Sequence, residues 1–233
     1  MSFRVALIDS CGRHAQARAS AAFASEAGRV RRRESEPDYT GHGTRIAEIL
    51  TRGTAAVDLV LAQVFLGRAP ASAAAVAAAL DWAVCQGAHL VHMSLGLTAD
   101  RAVLADAIGR ALDQGHLVVA ASPSRGEPVF PAAYPGVIGG TGDARCAPGE
   151  LSQLGPWLFG AFPKADAGRS GDARAGGASI GAAWVSRAIV DLPSDIDANS
   201  CRQALDSRAT YRGKERRPAA VALAPPQVHT APP

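Results

Sequence analysis

The sequence predicts an α/β fold in three layers, a mainly parallel sheet flanked by helices. Three observations lead there. Short apolar runs of strand character alternate with helical stretches of twelve or more residues. Ala and Gly are abundant while aromatic residues are only 5%, which suits closely packed elements joined by tight turns. Hydrophobic residues make up 48% of the 233, enough for one sizeable core and too many for a chain disordered throughout.

Each element follows from its local pattern. Phe3–Ile8 is a short apolar run closed by Asp9-Ser10-Cys11-Gly12, a buried strand followed by a turn. Residues 13–38 hold Ala, Ser and the basic run Arg29, Arg31, Arg32 and Arg33, then Glu34 and Glu36, and read as a surface loop or short helix. Gly41-His42-Gly43-Thr44 opens a helix whose apolar face carries Ile46, Ala47, Ile49 and Leu50. Val57–Phe65 is a strand, Ala71–Gln86 an Ala-rich helix stopped by Gly87, and Ala88–Leu95 a strand. A helix over Ala99–Gln114 stops at Gly115, and His116–Ala121 is a strand. Shorter Gly- and Pro-rich elements fill 122–177. Ser179–Val190 is an apolar helix, and Asp195–Ser207 a last one. No internal repeat is present. The domain runs over 1–207, and 208–233 reads as a basic, Pro/Ala-rich flexible tail.

Charge excludes several classes. Against a net charge of +3, the tail alone holds five basic residues (Arg208, Arg212, Lys214, Arg216, Arg217) and one acid, Glu215. The globular part is therefore close to neutral, which argues against nucleic-acid binding. The basic tail is the segment suited to an acidic partner. No apolar run approaches the ~20 residues that span a bilayer, so no membrane partner is expected. The N-terminus lacks a signal-peptide pattern, which places the chain in the cytoplasm. Cys11, Cys85, Cys146 and Cys201 lie far apart, without a Cys-x-x-Cys pair, so four reduced thiols are expected and no metal site or cofactor.

Ligands of parallel sheets bind at the carboxyl ends of the strands. Asp9 ends the first strand, His42 lies between two glycines at a helix start, and Ser179 follows Gly176-Gly177-Ala178 at another. Taken singly, each is also an ordinary capping or turn residue. His92 reads as a strand histidine satisfied within the core.

Taken together, the order Asp, His, Ser matches one arrangement of a catalytic triad. Four segments carry a resemblance to the subtilisin-like serine peptidases. Val5-Ala6-Leu7-Ile8-Asp9-Ser10 resembles the strand leading to the family's catalytic Asp, and Gly41-His42-Gly43-Thr44-Arg45-Ile46-Ala47 resembles its His motif. Val91-His92-Met93-Ser94-Leu95-Gly96 is similar to the strand that pairs with substrate backbone. Gly177-Ala178-Ser179-Ile180-Gly181-Ala182-Ala183 is similar to the Ser motif, with Ala178 and Ala183 where the family has Thr and Pro. The resemblance covers residues 3–190 and implies a subtilisin-like fold and a serine endopeptidase with Asp9, His42 and Ser179 as catalytic residues. It also implies a peptide or protein substrate bound as an extended strand between Ser94-Leu95-Gly96 and Ala120-Ala121-Ser122. Within the family the compact form resembles intracellular peptidases that trim leader segments from modified peptides.

Two departures qualify that expectation. The family's second oxyanion donor is an Asn, and the matching position here is Ser124, in Ala121-Ser122-Pro123-Ser124; the chain's one Asn is Asn199. Asp9 also stands so near the N-terminus that neither a pro-domain nor the family's structural calcium site is expected. A catalytically inactive peptide-binding module of the same fold is the alternative. A doubly wound nucleotide-binding protein is a third reading, disfavoured because Asp9-Ser10-Cys11-Gly12 replaces a Gly-x-Gly-x-x-Gly turn and no Gly-x-x-x-x-Gly-Lys motif occurs.

Overall fold

In the computed structural model, residues 2–54, 57–67, 70–165 and 177–215 are described. Gly176 and the tail from Arg216 onward lie outside them. The chain forms β1 (Phe3–Asp9), β2 (Ala17–Glu26), β3 (Arg29–Arg33), α1 (His42–Leu50), β4 (Val57–Gln63), α2 (Ala73–Cys85) and β5 (Leu90–Met93). It continues through α3 (Ala102–Asp113), β6 (Leu117–Ala121), β7 (Ile138–Gly142), β8 (Leu151–Gly155), β9 (Leu158–Ala161), α4 (Ala178–Val190), α5 (Ala198–Ser207) and β10 (Ala209–Arg212).

All ten strands join one sheet in the order β10-β8-β9-β7-β6-β5-β1-β4-β2-β3. Seven of them, from β9 across to β2, run parallel. Between the named strands, only the β2–β3 and β8–β9 pairings are antiparallel. A parallel sheet needs both faces covered, and β1 shows how the sequence provides for that. Its side chains alternate, Val5 and Leu7 entering one core with α1, α4 and α5, and Ala6 and Ile8 entering the other with α2 and α3. The alternation of strands and helices is thus the three-layer α/β architecture expected.

Strand order brings the ends that matter together. β1 lies between β4 and β5: after β1 the chain runs to β2 beyond β4, and after β4 it crosses to β5 on the other side, which places the crevice at the carboxyl ends beside β1. β5, β6 and β7 follow as neighbours, and α4 lies directly on β7. A Cβ at Gly181 would collide with the Thr141 carbonyl, and one at Gly140 would stand 2.5 Å from Ala182 Cα. Only glycine at both places lets helix and strand approach to backbone contact.

Two expectations are corrected. Within 13–38, expected as a surface loop or short helix, residues 17–33 form the β2–β3 hairpin. The strand is encoded by the inward-facing Ala21, Ala22 and Phe23, residues too small or too few for a strong signal. Its turn is Ala27-Gly28, with φ of 48° and 76°, where Asn-Gly is the usual choice for two left-handed residues. The segment beginning at 208 does not leave the fold at once, because β10 adds in parallel to β8.

β10 is held by more than its ladder. Asp143 is buried after β7 and accepts from Ser152 Oγ at 2.6 Å and from Arg145 Nη2 at 2.7 Å. Arg145 in turn donates to the Gly213 carbonyl and lies 5.2 Å from the Tyr211 ring centre. Burial opposes the Asp143 charge, but these hydrogen bonds prevail and lower its pKa to about 2. Asp143→Ala leaves Arg145 and Ser152 without their acceptor and is expected to cost about 2–3 kcal/mol. That is a drop of about 4–12 °C in melting temperature for a domain of this size. Because the folded carboxyl titrates below the ordinary 3.8, its contribution is present above that value and disappears as pH falls toward about 2. An unchanged melting temperature at neutral pH contradicts the clasp.

Candidate active site

Asp9 ends β1 with its side chain only 1% exposed. His42 begins α1, and its Nδ1 lies 2.9 Å from Asp9 Oδ1 and 3.1 Å from Oδ2. A carboxylate only accepts, so Nδ1 carries the proton and Nε2 is left with its lone pair. The side chain is 39% exposed, so the ring keeps contact with solvent. Glycine at 43 is required for this meeting, because a Cβ there would overlap the Cys11 amide and lie 3.0 Å from Asp9 Oδ1.

The helix start is clamped by a residue the sequence reading passed over. Asp38 Oδ1 accepts from the Thr40 and Gly41 amides at 3.1 and 2.9 Å. Its Oδ2 accepts from the Thr44 amide and hydroxyl at 2.8 and 2.7 Å. Thr40 Oγ1 is 2.9 Å from Ser10 Oγ, which lies 3.1 Å from Asp9 Oδ1 and accepts from the Gly43 amide. The two carboxylates are therefore joined through hydroxyls around the first turn that bears His42. Burial would raise the Asp38 pKa, yet the Thr44 hydroxyl and amide reverse that and lower it to about 2. The signal was legible as Asp-x-x-Gly ahead of an apolar helix, a side-chain cap displaced from the usual position because Gly41 has no side chain to offer.

For His42, the hydrogen bond to Asp9 raises the pKa above the ordinary 6.5. Burial opposes it, the charges of Asp9 and Asp38 add to it, and Arg45 opposes it. His92 also faces this region but stays neutral: total burial pushes its pKa down to about 3. Its two ring nitrogens lie 2.8 Å from Ser186 Oγ on α4 and 2.7 Å from Ser94 Oγ beyond β5. One nitrogen donates and the other accepts, so α4 and the segment beginning at Ser94 are tied through the sheet. His92 is the satisfied strand histidine expected.

Asp9, Ser10, Thr40, His42 and Ser94 line one pocket of about 520 Å³, completed by Phe65 and Pro70. Ser179 is the second residue of α4 and half-buried. α4 packs against β7, β6, β5 and α1, at the same carboxyl ends as Asp9 and His42. Among the described residues no hydrogen bond joins Ser179 to His42, so the structure pairs Asp9 with His42 and leaves Ser179 unpaired. Leu95 and Ala121 are buried, Gly96 packs against Val129, and Ala120 lies in the core beside Ser122. Ser124 is exposed and lines a different cleft, of about 410 Å³, with Arg125, Gly142, Asp143 and Lys214. All four cysteines are free, and no group of three or more metal-ligating side chains occurs among the described residues. No helix among them is long and apolar enough to cross a membrane.

Residues 5–154 match the model of the Subtilase family. This chain belongs to that family. The match takes in Asp9, His42, Ser94-Leu95-Gly96 and Ser124 and ends before Ser179. Among curated relatives, the minor extracellular protease Epr of Bacillus subtilis (strain 168) is 34% identical over 132 residues, 52% of this chain and 20% of that protein. Subtilisin Savinase of Lederbergia lenta is 31% identical over 136 residues, 53% of this chain and 51% of that protein. This subtilase thus spans about a fifth to a half of the length of these relatives. The fold is shared with a lanthipeptide protease (TM-score 0.66, 17% identity, 91% of this chain and 81% of that one). It is shared likewise with the self-cleaved protease domain of PatA (TM-score 0.60, 21% identity, 86% of each chain).

The clamp predicts how His42 titrates. In an NMR titration the ring is expected to lose its proton above pH 6.5, and Asp38→Asn to move that midpoint down by removing a charge that favours the imidazolium. Asp9→Asn moves it further in the same direction, since Asp9 is the stronger influence. An Asp38→Asn midpoint equal to wild type removes Asp38 from the electrostatics of the site.

Proposed function

We propose that the chain is a serine endopeptidase in which Ser179 attacks the carbonyl carbon of a peptide bond. The observation that carries this reading is the Asp9–His42 pair, which turns His42 Nδ1 to the carboxylate and leaves Nε2 of the neutral ring as the nitrogen free to act as a base at the pocket. A serine hydroxyl is a poor nucleophile until a base takes its proton, and His42 Nε2 is that base. As the Ser179 Oγ–carbon bond forms, the proton passes to Nε2 and the carbonyl becomes an oxyanion. Asp9 holds the ring and stabilises the imidazolium. His42 then gives the proton to the leaving amine as the C–N bond breaks, and water repeats the sequence to release the acyl group.

The oxyanion is met by the Ser179 amide, which at the second position of α4 has no intrahelical acceptor and lies at the positive end of the helix dipole. Ser124, which matches the family's Asn position, is assigned as the second donor, and this requires its hydroxyl to turn from the cleft it lines toward the substrate carbonyl. Substrate lies as an extended strand between Ser94-Leu95-Gly96 and Ala120-Ala121-Ser122. The His92 bridge supports this placement, because it fixes Ser94 against α4.

The biological role we assign is the processing of a peptide precursor inside the cell, such as removal of a leader segment. The fold neighbours include a lanthipeptide protease and the prenylagaramide maturation protease PagA, which supports this role. A second reading, a peptide-binding module without turnover, is favoured by the unpaired Ser179 and by the cleft that Ser124 lines apart from His42.

Labelling with a fluorophosphonate separates the two. Covalent modification at Ser179, lost in Ser179→Ala and in His42→Ala, is the result expected of the peptidase. Absence of labelling at saturating probe, with peptide binding intact, establishes the module instead. For the peptidase, Ser124→Ala is expected to lower kcat by about 10-fold or more with KM little changed, the signature of a contact made in the transition state. An unaltered kcat transfers the second donor to a backbone amide.

A further inference from the structure

The β2–β3 hairpin is the part of the fold that the catalytic reading leaves unused. β3 is the last strand of the sheet, and among the described residues no strand covers its outer edge. Such an edge presents a free row of backbone donors and acceptors. Four of its five residues are arginines, all exposed. Arg33 is engaged, 3.2 Å from Glu26 and 3.5 Å from Glu36. Arg29, Arg31 and Arg32 have no carboxylate within ion-pair distance among the described residues, and the remaining acid nearby is the exposed Glu34. Three cations thus stand uncompensated on an open edge.

Their position relative to the cleft follows from register. Asp9 is opposite Gln63, and Gln63 is opposite Ala22. Beyond that level β2 continues through Phe23–Glu26, paired with Arg32–Arg29. At about 3.3 Å per residue the hairpin overhangs the carboxyl ends by about 13 Å. The overhang is on the side where Asp9 and His42 lie. It is rigidly mounted: Phe23 packs on Trp82, and Ser25 Oγ meets Ser72 Oγ at the start of α2 at 2.5 Å. The connection from β4 to α2 supplies Phe65 and Pro70 to the pocket that His42 lines, and its Ser72 meets Ser25 of the hairpin.

We propose that the outer edge of β3, with Arg29, Arg31 and Arg32, binds an acidic extended segment of the substrate polypeptide outside the cleaved region. This rests on the peptidase reading for the identity of the occupant, whereas the binding itself does not. The occupant adds as a further strand, its backbone bonding to the free edge, and carboxylates at alternate positions meet Arg29 and Arg31, which project from the same face. Contacts so far from the reacting atoms act equally on ground and transition states, so they lower KM and leave kcat alone.

Fluorescence anisotropy tests the binding without requiring catalysis. The probe is a labelled peptide of about a dozen residues alternating Glu and Thr, mixed with the full chain. Binding is expected to weaken by about 5–50-fold in Arg29→Glu/Arg31→Glu/Arg32→Glu and to fall steeply between low and high salt. The triple Gln variant, which removes charge without adding repulsion, should give a smaller loss in the same direction at an unchanged melting temperature. No binding to wild type, or equal binding by wild type and both variants, overturns the proposal. So does a response to a single-stranded DNA of equal charge when the peptide gives none. A cleavable peptide carrying the acidic extension should show a lower KM than the same peptide without it. If neither peptide is cut while the anisotropy result holds, the peptidase reading fails and the docking edge stands.

Discussion

The seating of α4 on β7 at backbone distance is the constraint on which the rest of the molecule depends. Gly140 and Gly181 remove the side chains that would hold helix and strand apart, and the Thr141 carbonyl fits where a Cβ would stand. That contact sets the height at which α4 begins, and Ser179 is one residue inside its start. Because β7, β6, β5 and β1 are successive neighbours in a parallel sheet, their carboxyl ends lie side by side. Side chains far apart in sequence therefore share one edge, Asp9 and Ser94 from strand ends and His42 and Ser179 from helix starts. A larger residue at either glycine would displace the helix, and with it the Ser186–His92–Ser94 bridge that runs through the sheet.

Electrostatics at that edge rests on two carboxylates used differently. Asp9 is almost wholly enclosed and touches the imidazole directly, so it sets tautomer and orientation. Asp38 never reaches the ring. It spends its oxygens on amides and hydroxyls of the first helical turn, a place where the helix dipole favours negative charge. The hydroxyls of Thr40 and Ser10 complete the path between them. Backbone amides at the start of α1 are satisfied by Asp38, whereas among the described residues no side chain caps the start of α4.

The two ends of the sheet are finished in opposite ways. At one, β10 is stitched down by the Asp143–Arg145 clasp and by the contact of Arg145 with Tyr211. At the other, β3 is short, open and strongly basic. Between the named strands, the antiparallel pairings β2–β3 and β8–β9 lie toward these margins, and the strands from β9 to β2 are parallel throughout. Kinship with the subtilases is carried by residues 5–154, which hold the parallel centre and not the last helices.

The layered α/β architecture, the helix and strand alternation, and the Asp9–His42 pairing were all legible in the linear chain. Periodicity reports which faces are buried, and Gly41-His42-Gly43-Thr44 after a strand-ending Asp9 is a local pattern. The β2–β3 hairpin escaped because Ala-rich strands carry little side-chain signal and an Ala-Gly turn looks unremarkable without its φ angles. β10 escaped because four half-exposed residues gain strand structure from β8, a partner far back in the chain. Asp38 was visible as a residue but not as a clamp, since its partners are set by how the loop folds over the helix start. Ser124 illustrates the limit of alignment, because Pro123 and the path of the loop decide which cleft its hydroxyl faces. Local chemistry fixes which residue types stand at strand ends and helix starts. Their distances are set by long-range pairing and backbone contact, and those depend on the whole chain having folded.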